Sequence, residues 1–317
     1  MNALTRAPLL QSQFAWLIRR ELWENRYIWL VPLVTALAIF AAALAGWLFF
    51  GHAALHLDNN DLETMHHMTT VDQAAPYLSV GLATVGLPFL FIALAIQFFY
   101  AADALYGERR DRSILFYKSL PVSDTATVLS KAVVADVAVL VAAFLAALVA
   151  QLLLAVITSF ELYRFPLLIA ALWSPRVWGS VVLLMAYLVL ALSLWYLPLV
   201  ALWLLISARA NRAPVLWATL LLTALPIAEW VALRTHYIWR LLVRRFNFYT
   251  ASIDVDNFGA ALQRGVHGAP DAHPPLVSNV IAPAQFFSSP ELWAGLVAAA
   301  LLLAATVWLR QRAEASS

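Results

Sequence analysis

Apolar segments of membrane-spanning length alternate with short polar segments along the chain. A helix needs about 20 mostly apolar residues to cross the hydrocarbon core of a bilayer, and six segments have the required length and composition. They are residues 28–51, 77–102, 125–158, 177–207, 214–233 and 292–309. A spanning helix satisfies its backbone hydrogen bonds within its own segment, as lipid requires. We therefore predict an all-α, polytopic membrane protein with six transmembrane helices in a single domain, residues 1–317.

The composition supports the same class of protein. Hydrophobic residues make up 63% of the chain and charged residues only 12%, which leaves too little polar surface for a soluble domain. The net charge of +2 offers no argument for nucleic-acid binding. The chain has no cysteine, which excludes disulfides, thiolate metal ligands and a cysteine nucleophile.

Lysine and arginine are distributed unequally between the two sides that six spans create. One side receives the amino-terminal segment, residues 103–124 and 208–213, and the carboxyl-terminal tail, all of which carry cations. The two short segments on the other side contain only Arg164 and Arg176. Short cytoplasmic loops are enriched in lysine and arginine. We therefore expect both termini to be cytoplasmic and residues 234–291 to form a larger outer loop between helices 5 and 6.

Residues 10–26, before the first predicted span, have the pattern of an amphipathic helix. Apolar side chains recur there at helical spacing, with charged side chains elsewhere on the wheel. The candidate interface residues are Phe14, Leu17, Ile18, Arg19, Arg20 and Glu21. We expect this helix to lie in the cytoplasmic interface of the membrane. A cytoplasmic extension of the first span is the alternative.

A cluster of charged and aromatic residues, GERRDRSILFYKSLP, occupies residues 107–121 between the second and third spans. Apolar residues recur within it at three-residue spacing, and Pro121 would end the helix that they form. Ser123 or Asp124 is placed to cap the third span. An apolar run in an exposed loop favours a docking surface for another protein. The alternative is a helix that contacts only lipid headgroups.

Residues 107–131, GERRDRSILFYKSLPVSDTATVLSK, resemble the first cytoplasmic loop of ABC-2-type transporter permeases. That loop has an acidic–basic pair, a Ser-Ile-Leu-aromatic run and a Ser-Leu-Pro-Val-Ser turn. Residues 19–32, RRELWENRYIWLVP, are similar to the interface helix of the same family. The predicted six-span topology agrees with the resemblance, which is confined to these two segments and indicates no particular cargo.

The resemblance implies a permease subunit of an ATP-driven exporter in the bacterial cytoplasmic (inner) membrane. The apolar spans and the aromatic residues Trp239, Phe246 and Phe248 of the predicted outer loop suit a lipophilic or amphipathic cargo without naming it. The resemblance also implies two cytoplasmic ABC ATPase subunits and a second permease subunit, identical or paralogous, as partners. Residues 107–121 would form a coupling helix seated on the ATPase. The coupling residues that it implies are Glu108, Arg109, Arg110, Arg112, Ser113, Tyr117, Lys118, Ser119 and Pro121.

The chain itself lacks the phosphate-binding motif of an ATPase. A P-loop ends in Gly-Lys-Ser or Gly-Lys-Thr, and none of the ten glycines precedes a lysine. We therefore expect the partner to bind ATP and Mg²⁺, and this chain to have no cofactor and no enzymatic activity. A membrane-embedded enzyme finds no support, since no predicted span carries a paired-carboxylate or Ser-His constellation. A scaffold or channel that is not coupled to an ATPase is the remaining alternative.

Three ionisable residues fall within predicted spans: Lys131, Asp136 and Glu229. Charges inside a membrane are costly and indicate functional sites by default. Lys131 and Asp136 could pair inside the bundle, and Asp136 is a candidate for coupling or cargo passage. We expect Glu229, near the outer end of its span, to reach water. The histidines of residues 52–67 do not have the spacing of a zinc site, so we predict no metal.

Overall fold

The computed structural model of the protein describes residues 3–50, 70–110, 123–248, 252–254 and 275–315. Those residues form helices and connecting turns, with one isolated antiparallel bridge between Ile253 and Ile281. Six helical segments are long and apolar enough to cross a membrane. This confirms the predicted all-α class and six helices of membrane-spanning length, which indicate a multi-pass integral membrane protein. The orientation of its termini stays a prediction.

We number the helices in chain order. They are α1 (Ala3–Glu24), α2 (Tyr27–Phe50), α3 (Val71–Thr84), α4 (Leu87–Arg110), α5 (Asp124–Val133), α6 (Val139–Glu161), α7 (Pro166–Leu172), α8 (Pro175–Arg209), α9 (Pro214–Leu233), α10 (Tyr237–Phe246), α11 (Pro283–Ser288) and α12 (Pro290–Ala315). A π turn, Val134–Ala138, joins α5 to α6. Span 1 is α2, span 2 is α3 with α4, span 3 runs from α5 to α6, span 4 is α7 with α8, span 5 is α9 and span 6 is α12.

Local sequence explains where two of these helices begin. Ser123 caps α5 by accepting a hydrogen bond from the amide of Ala126 at 3.2 Å, as one of the two predicted caps. Ser174 caps α8 in the same way. Pro175 follows it at the first helical position, where a missing amide hydrogen costs nothing. The other candidate cap, Asp124, instead forms an ion pair with Arg310.

Spans 3 and 4 form the centre of the bundle. Within the apolar windows of these two spans 50% of the residues are buried, against 22%, 17% and 22% for spans 1, 5 and 6. Span 4 packs on span 6 and on α4, and span 1 packs on span 3. The buried face of α6 is rich in alanine, including Ala143, Ala146 and Ala150, which allows close helix contact. Spans 1, 5 and 6 therefore leave most of their apolar surface uncovered by the described part of the chain.

A second packed region surrounds Arg245 at the end of α10. Its guanidinium carbon lies 4.6 Å from the centroid of the Trp195 ring, and Trp195 Nε1 donates to the Arg245 carbonyl oxygen at 2.7 Å. Gly295 of span 6 leaves room for this guanidinium, since a Cβ there would lie 1.8 Å from Arg245 Nη2. Burial lowers the pKa of the Arg245 guanidinium from its ordinary value. This part of the predicted outer loop is therefore folded onto spans 4 and 6.

Candidate functional site

Six charged side chains meet where α1 packs against α5. Three of them are cations and three are carboxylates: Arg20, Lys131, Arg310, Glu21, Glu108 and Asp124. We call these six residues the ion-pair cluster. They come from α1, the end of span 2, the start of span 3 and the end of span 6. Charges that are far apart in the sequence therefore share one site.

Lys131 lies at the centre of the ion-pair cluster and is only 3% exposed. Its Nζ atom lies 2.8 Å from Glu21 Oε1 and 3.1 Å from Glu108 Oε1. Tyr100 of α4 donates its hydroxyl hydrogen to Glu21 Oε2 at 2.8 Å. A buried charge is tolerated only with partners of this kind. One ammonium group thus bridges carboxylates of α1 and span 2.

Arg310 of span 6 closes the other side of the cluster. Its Nη1 atom lies 2.9 Å from Glu108 Oε2, and its Nε atom lies 2.7 Å from Asp124 Oδ1. Arg20 extends the cluster towards the surface, where its Nε atom lies 3.0 Å from Glu24 and its Nη2 atom 3.8 Å from Glu108. Each carboxylate of the cluster therefore faces at least one cation.

Hydrogen bonds next to the cluster join the end of span 2 to the end of span 4. The hydroxyl oxygen of Ser207 accepts from the amides of Leu105 and Tyr106, each at 3.0 Å. The Arg109 guanidinium donates to the carbonyl oxygens of Ser207 and Ala210. The end of α4 therefore cannot shift without breaking bonds to span 4 or to the ion-pair cluster.

A polar cleft of about 180 Å³ opens between α1 and α4 beside the cluster. Carboxylates of Glu24 and Asp103 line it, together with members of the cluster. Arg110 lines it as well and is the last described residue before residues 111–122. The predicted coupling segment, residues 107–121, therefore begins at this cleft.

The structure describes three of the nine predicted coupling residues. Glu108 belongs to the ion-pair cluster, Arg109 binds the end of span 4, and Arg110 lines the polar cleft. The remaining predicted residues, Arg112, Ser113, Tyr117, Lys118, Ser119 and Pro121, lie outside the described residues. The histidines considered for a metal site lie outside them too.

The predicted interface helix packs against α5 and the π turn of span 3. Of the six predicted interface residues, Leu17 and Glu21 are buried, Phe14, Ile18 and Arg20 are half-buried and Arg19 is exposed. The helix covers Ala3–Glu24 rather than residues 10–26, and a turn at Asn25 and Arg26 separates it from α2. It is therefore a separate element and not an extension of span 1.

Asp136 lies in the π turn of span 3 and is 3% exposed. Ser193 of span 4 donates its hydroxyl hydrogen to Asp136 Oδ2, and Gln97 of span 2 donates to the Asp136 carbonyl oxygen at 3.1 Å. The possible pair of Asp136 with Lys131 is not formed, because the ion-pair cluster holds the lysine. Asp136 is instead held by neutral donors, and π turns frequently occur at functional sites.

Glu229, near the end of span 5, serves as the cap of α10. Its carboxylate accepts hydrogen bonds from the Thr235 hydroxyl at 2.7 Å and from the amides of Tyr237 and Ile238 at 2.6 and 2.7 Å. These amides belong to the first turn of a helix, which has no internal acceptors for them. The side chain is only 7% exposed, because α10 packs beside it, and its access to water stays a prediction.

Several members of these sites were not evident from sequence patterns. In the sequence, Arg310 indicates only the orientation of the chain in the membrane, and Tyr100 looks like any other aromatic residue of a span. The usable signal is a polar side chain within an apolar window. Gln97 is one example, and Gln151 is another, because its amide donates to a carbonyl oxygen of span 2 at 3.0 Å. Such residues mark positions where one span meets another.

Comparisons with known proteins do not add to this picture. No family model, curated protein or solved structure matches the chain. Its function is therefore argued from its own residues and their geometry.

Proposed function

We propose that this chain is the transmembrane permease subunit of an ATP-driven ABC-2-type exporter that moves a lipophilic or amphipathic cargo. In this proposal two separate cytoplasmic ABC ATPase subunits bind ATP and Mg²⁺, and a second permease subunit, identical or paralogous, completes the transporter. The observation that carries the proposal is the ion-pair cluster. It links α1 to the two spans that flank residues 107–121.

A permease driven by a separate motor needs firm contacts between the segment that binds the motor and the helices that move. Glu108 belongs to the predicted coupling segment and pairs with Lys131 of span 3 and Arg310 of span 6. Glu21 of α1 shares the same lysine. Through these pairs, a displacement of residues 107–121 acts on α1 and on three spans together.

An open, mostly apolar groove of about 590 Å³ between spans 2 and 5 and α10 supports a lipophilic cargo. Phe98, Leu222 and Trp239 are among its lining residues. Thr219 and Thr223 line it as well, but their hydroxyls donate to carbonyl oxygens of their own helix at 2.9 and 3.0 Å. The wall therefore offers mostly apolar surface, which suits hydrophobic ligands.

Co-purification with a candidate ATPase tests the proposal. The tagged chain is expressed together with a P-loop ATPase encoded beside it, and ATP hydrolysis by the purified complex is measured in liposomes. We expect the ATPase to co-purify. We expect Tyr117→Ala/Lys118→Ala to reduce association at least about tenfold, as loss of central interface residues does. Asp72→Ala/Arg176→Ala, which removes an exposed ion pair at the other end of span 4, is the matched control.

Two results would contradict the proposal. One is a complex with Tyr117→Ala/Lys118→Ala that assembles and hydrolyses ATP as the unmodified complex does. The other is a purified chain that conducts ions across a bilayer without any ATPase. The second result would support the alternative of a channel.

A further inference from the structure

An open groove of about 700 Å³ runs between α1, the start of span 1 and span 3. Its wall on span 3 is apolar and consists of Ala138, Val141, Ala142 and Leu145. These residues extend over about 10 Å of helix. The groove therefore has an elongated apolar wall that faces the surroundings of the bundle.

The mouth of this groove is cationic. Arg19 and Arg26 both line it, and both are exposed. The guanidinium carbon of Arg19 lies 5.2 Å from the centroid of the Trp23 ring, which also lines the groove. None of the described lining residues is acidic. The groove therefore combines two cations with an apolar wall.

The pairing of Arg20 distinguishes it from the two arginines of the groove. Arg20 pairs with Glu24 at 3.0 Å and with Glu21 at 3.3 Å, on the side of the ion-pair cluster. In the described part of the chain, by contrast, neither Arg19 nor Arg26 forms a salt bridge. Among the described residues, therefore, no carboxylate pairs with either of these two charges.

We propose that this groove binds one anionic phospholipid, with its phosphate between Arg19 and Arg26 and an acyl chain along residues 138–145. Basic grooves beside spanning helices attract anionic headgroups, and tryptophans such as Trp23 and Trp29 suit the membrane interface. A soluble phosphate would contact the arginines at the mouth of the groove but not its apolar wall. The inference does not depend on the proposed transport function.

Native mass spectrometry of the purified full chain tests this site. Phosphatidylglycerol and phosphatidylcholine with identical acyl chains are titrated separately, and the fraction of chain that retains lipid is measured. We expect about fivefold tighter retention of phosphatidylglycerol for each arginine, hence about twenty-fivefold for the pair. Arg19→Gln/Arg26→Gln should abolish this preference. Arg209→Gln/Arg212→Gln removes the same charge from exposed positions at the end of span 4 and should keep it.

A second variant tests the apolar wall. Ala142→Phe should reduce retention of phosphatidylglycerol, and glycerol phosphate added as a soluble competitor should not displace the lipid. The proposal is overturned by equal retention of the two lipids, or by an Arg19→Gln/Arg26→Gln variant that keeps the preference while its thermal unfolding is unchanged. It is also overturned if Ala142→Phe dissociates a dimer without changing lipid retention, because the groove would then hold a second copy of the chain.

Discussion

Lys131 is a buried cation whose position depends on two carboxylates. It is almost fully buried, and its ammonium group lies between the carboxylates of Glu21 and Glu108. Removing one partner of a buried ion pair costs far more than the pair itself contributes, because the remaining charge has lost its compensation. The same argument applies on a smaller scale to Asp136, which a single hydroxyl from span 4 supports.

We expect Lys131→Met to lower the free energy of unfolding by about 3–5 kcal/mol, because Glu21 and Glu108 then face each other without their shared cation. The measurement is SDS-induced unfolding in mixed micelles, followed by tryptophan fluorescence. Glu21→Gln/Lys131→Met should recover part of the loss, since Glu108 keeps Arg310. Arg176→Met, in an exposed pair, should cost less than about 1 kcal/mol. Equal losses for Lys131→Met and Arg176→Met would contradict the prediction.

We expect Ser193→Ala to lower the free energy of unfolding by about 1–3 kcal/mol, because the Asp136 carboxylate loses its hydroxyl donor inside the bundle. The cost should disappear in an Asp136→Leu background, where no carboxylate needs the donor. The same unfolding titration, applied to the four chains of a double-mutant cycle, measures the coupling. A cost of Ser193→Ala that is equal in both backgrounds would rule out this role.

At the scale of elements, α1 and α10 are attached to the bundle by charged groups as well as by apolar contacts. Among the residues of α10 none is buried, so apolar burial contributes little to its position. Its first turn is held by Glu229, and its last turn by Arg245 against Trp195. An element with so few buried contacts should open more readily than the spans.

We expect Glu229→Ala to release α10, because three hydrogen bonds to a carboxylate are lost at once. Charged hydrogen bonds of this kind contribute enough to change local opening at least about tenfold. Trypsin cleavage after the exposed Arg240, followed by mass spectrometry, measures that opening. Asp72→Ala, at an exposed carboxylate of span 2, is the control and should leave cleavage unchanged. A cleavage rate that does not rise in Glu229→Ala would show that α10 is held by other contacts.

At the scale of the whole molecule, the ion-pair cluster lies at the end of the bundle where span 2 ends and span 3 begins. The ends of spans 4 and 6 lie there too, through Arg109 and Arg310. The turn between spans 3 and 4, at Leu162–Arg164, lies at the other end of the long helix α8 and of α6. The short segments that join span 2 to span 3 and span 4 to span 5 carry more arginine and lysine than the turn between spans 3 and 4. This difference predicts which end faces the cytoplasm.

The absence of cysteine makes this orientation directly measurable. Single cysteines are placed at the exposed positions Asn211, between spans 4 and 5, and Tyr163, between spans 3 and 4. A membrane-impermeant thiol reagent is added to intact cells and then to permeabilised cells. We expect Tyr163→Cys to react in intact cells and Asn211→Cys only after permeabilisation. The reverse pattern would place residues 107–121 outside and would contradict the proposed coupling to a cytoplasmic ATPase.

Particular residues show how far sequence patterns lead in this protein. Ser123 was a predictable cap, because a cap interacts with an amide three residues away. Sequence patterns single out Glu21 as an interface residue and Lys131 as a charge within a span. Their pairing joins residues 110 positions apart, so it has no local signal in the sequence. The Lys131–Asp136 alternative followed from proximity in the sequence, and the structure assigns the two residues to different partners. Proximity along a helix is therefore a poor guide to buried pairs when a neighbouring helix offers a better partner.

The sequence by itself determined the all-α class and the six spans, because a spanning helix depends on the length and apolar character of its own segment. It also determined the unequal distribution of cations, because the order of residues fixes which connecting segments carry lysine and arginine. Only the tertiary structure decided which charges meet at Lys131, that Glu229 caps α10, and that Arg19 lines a groove while its neighbour Arg20 joins the ion-pair cluster. Those outcomes depend on which helices pack together, and buried charges find partners only after that packing is set.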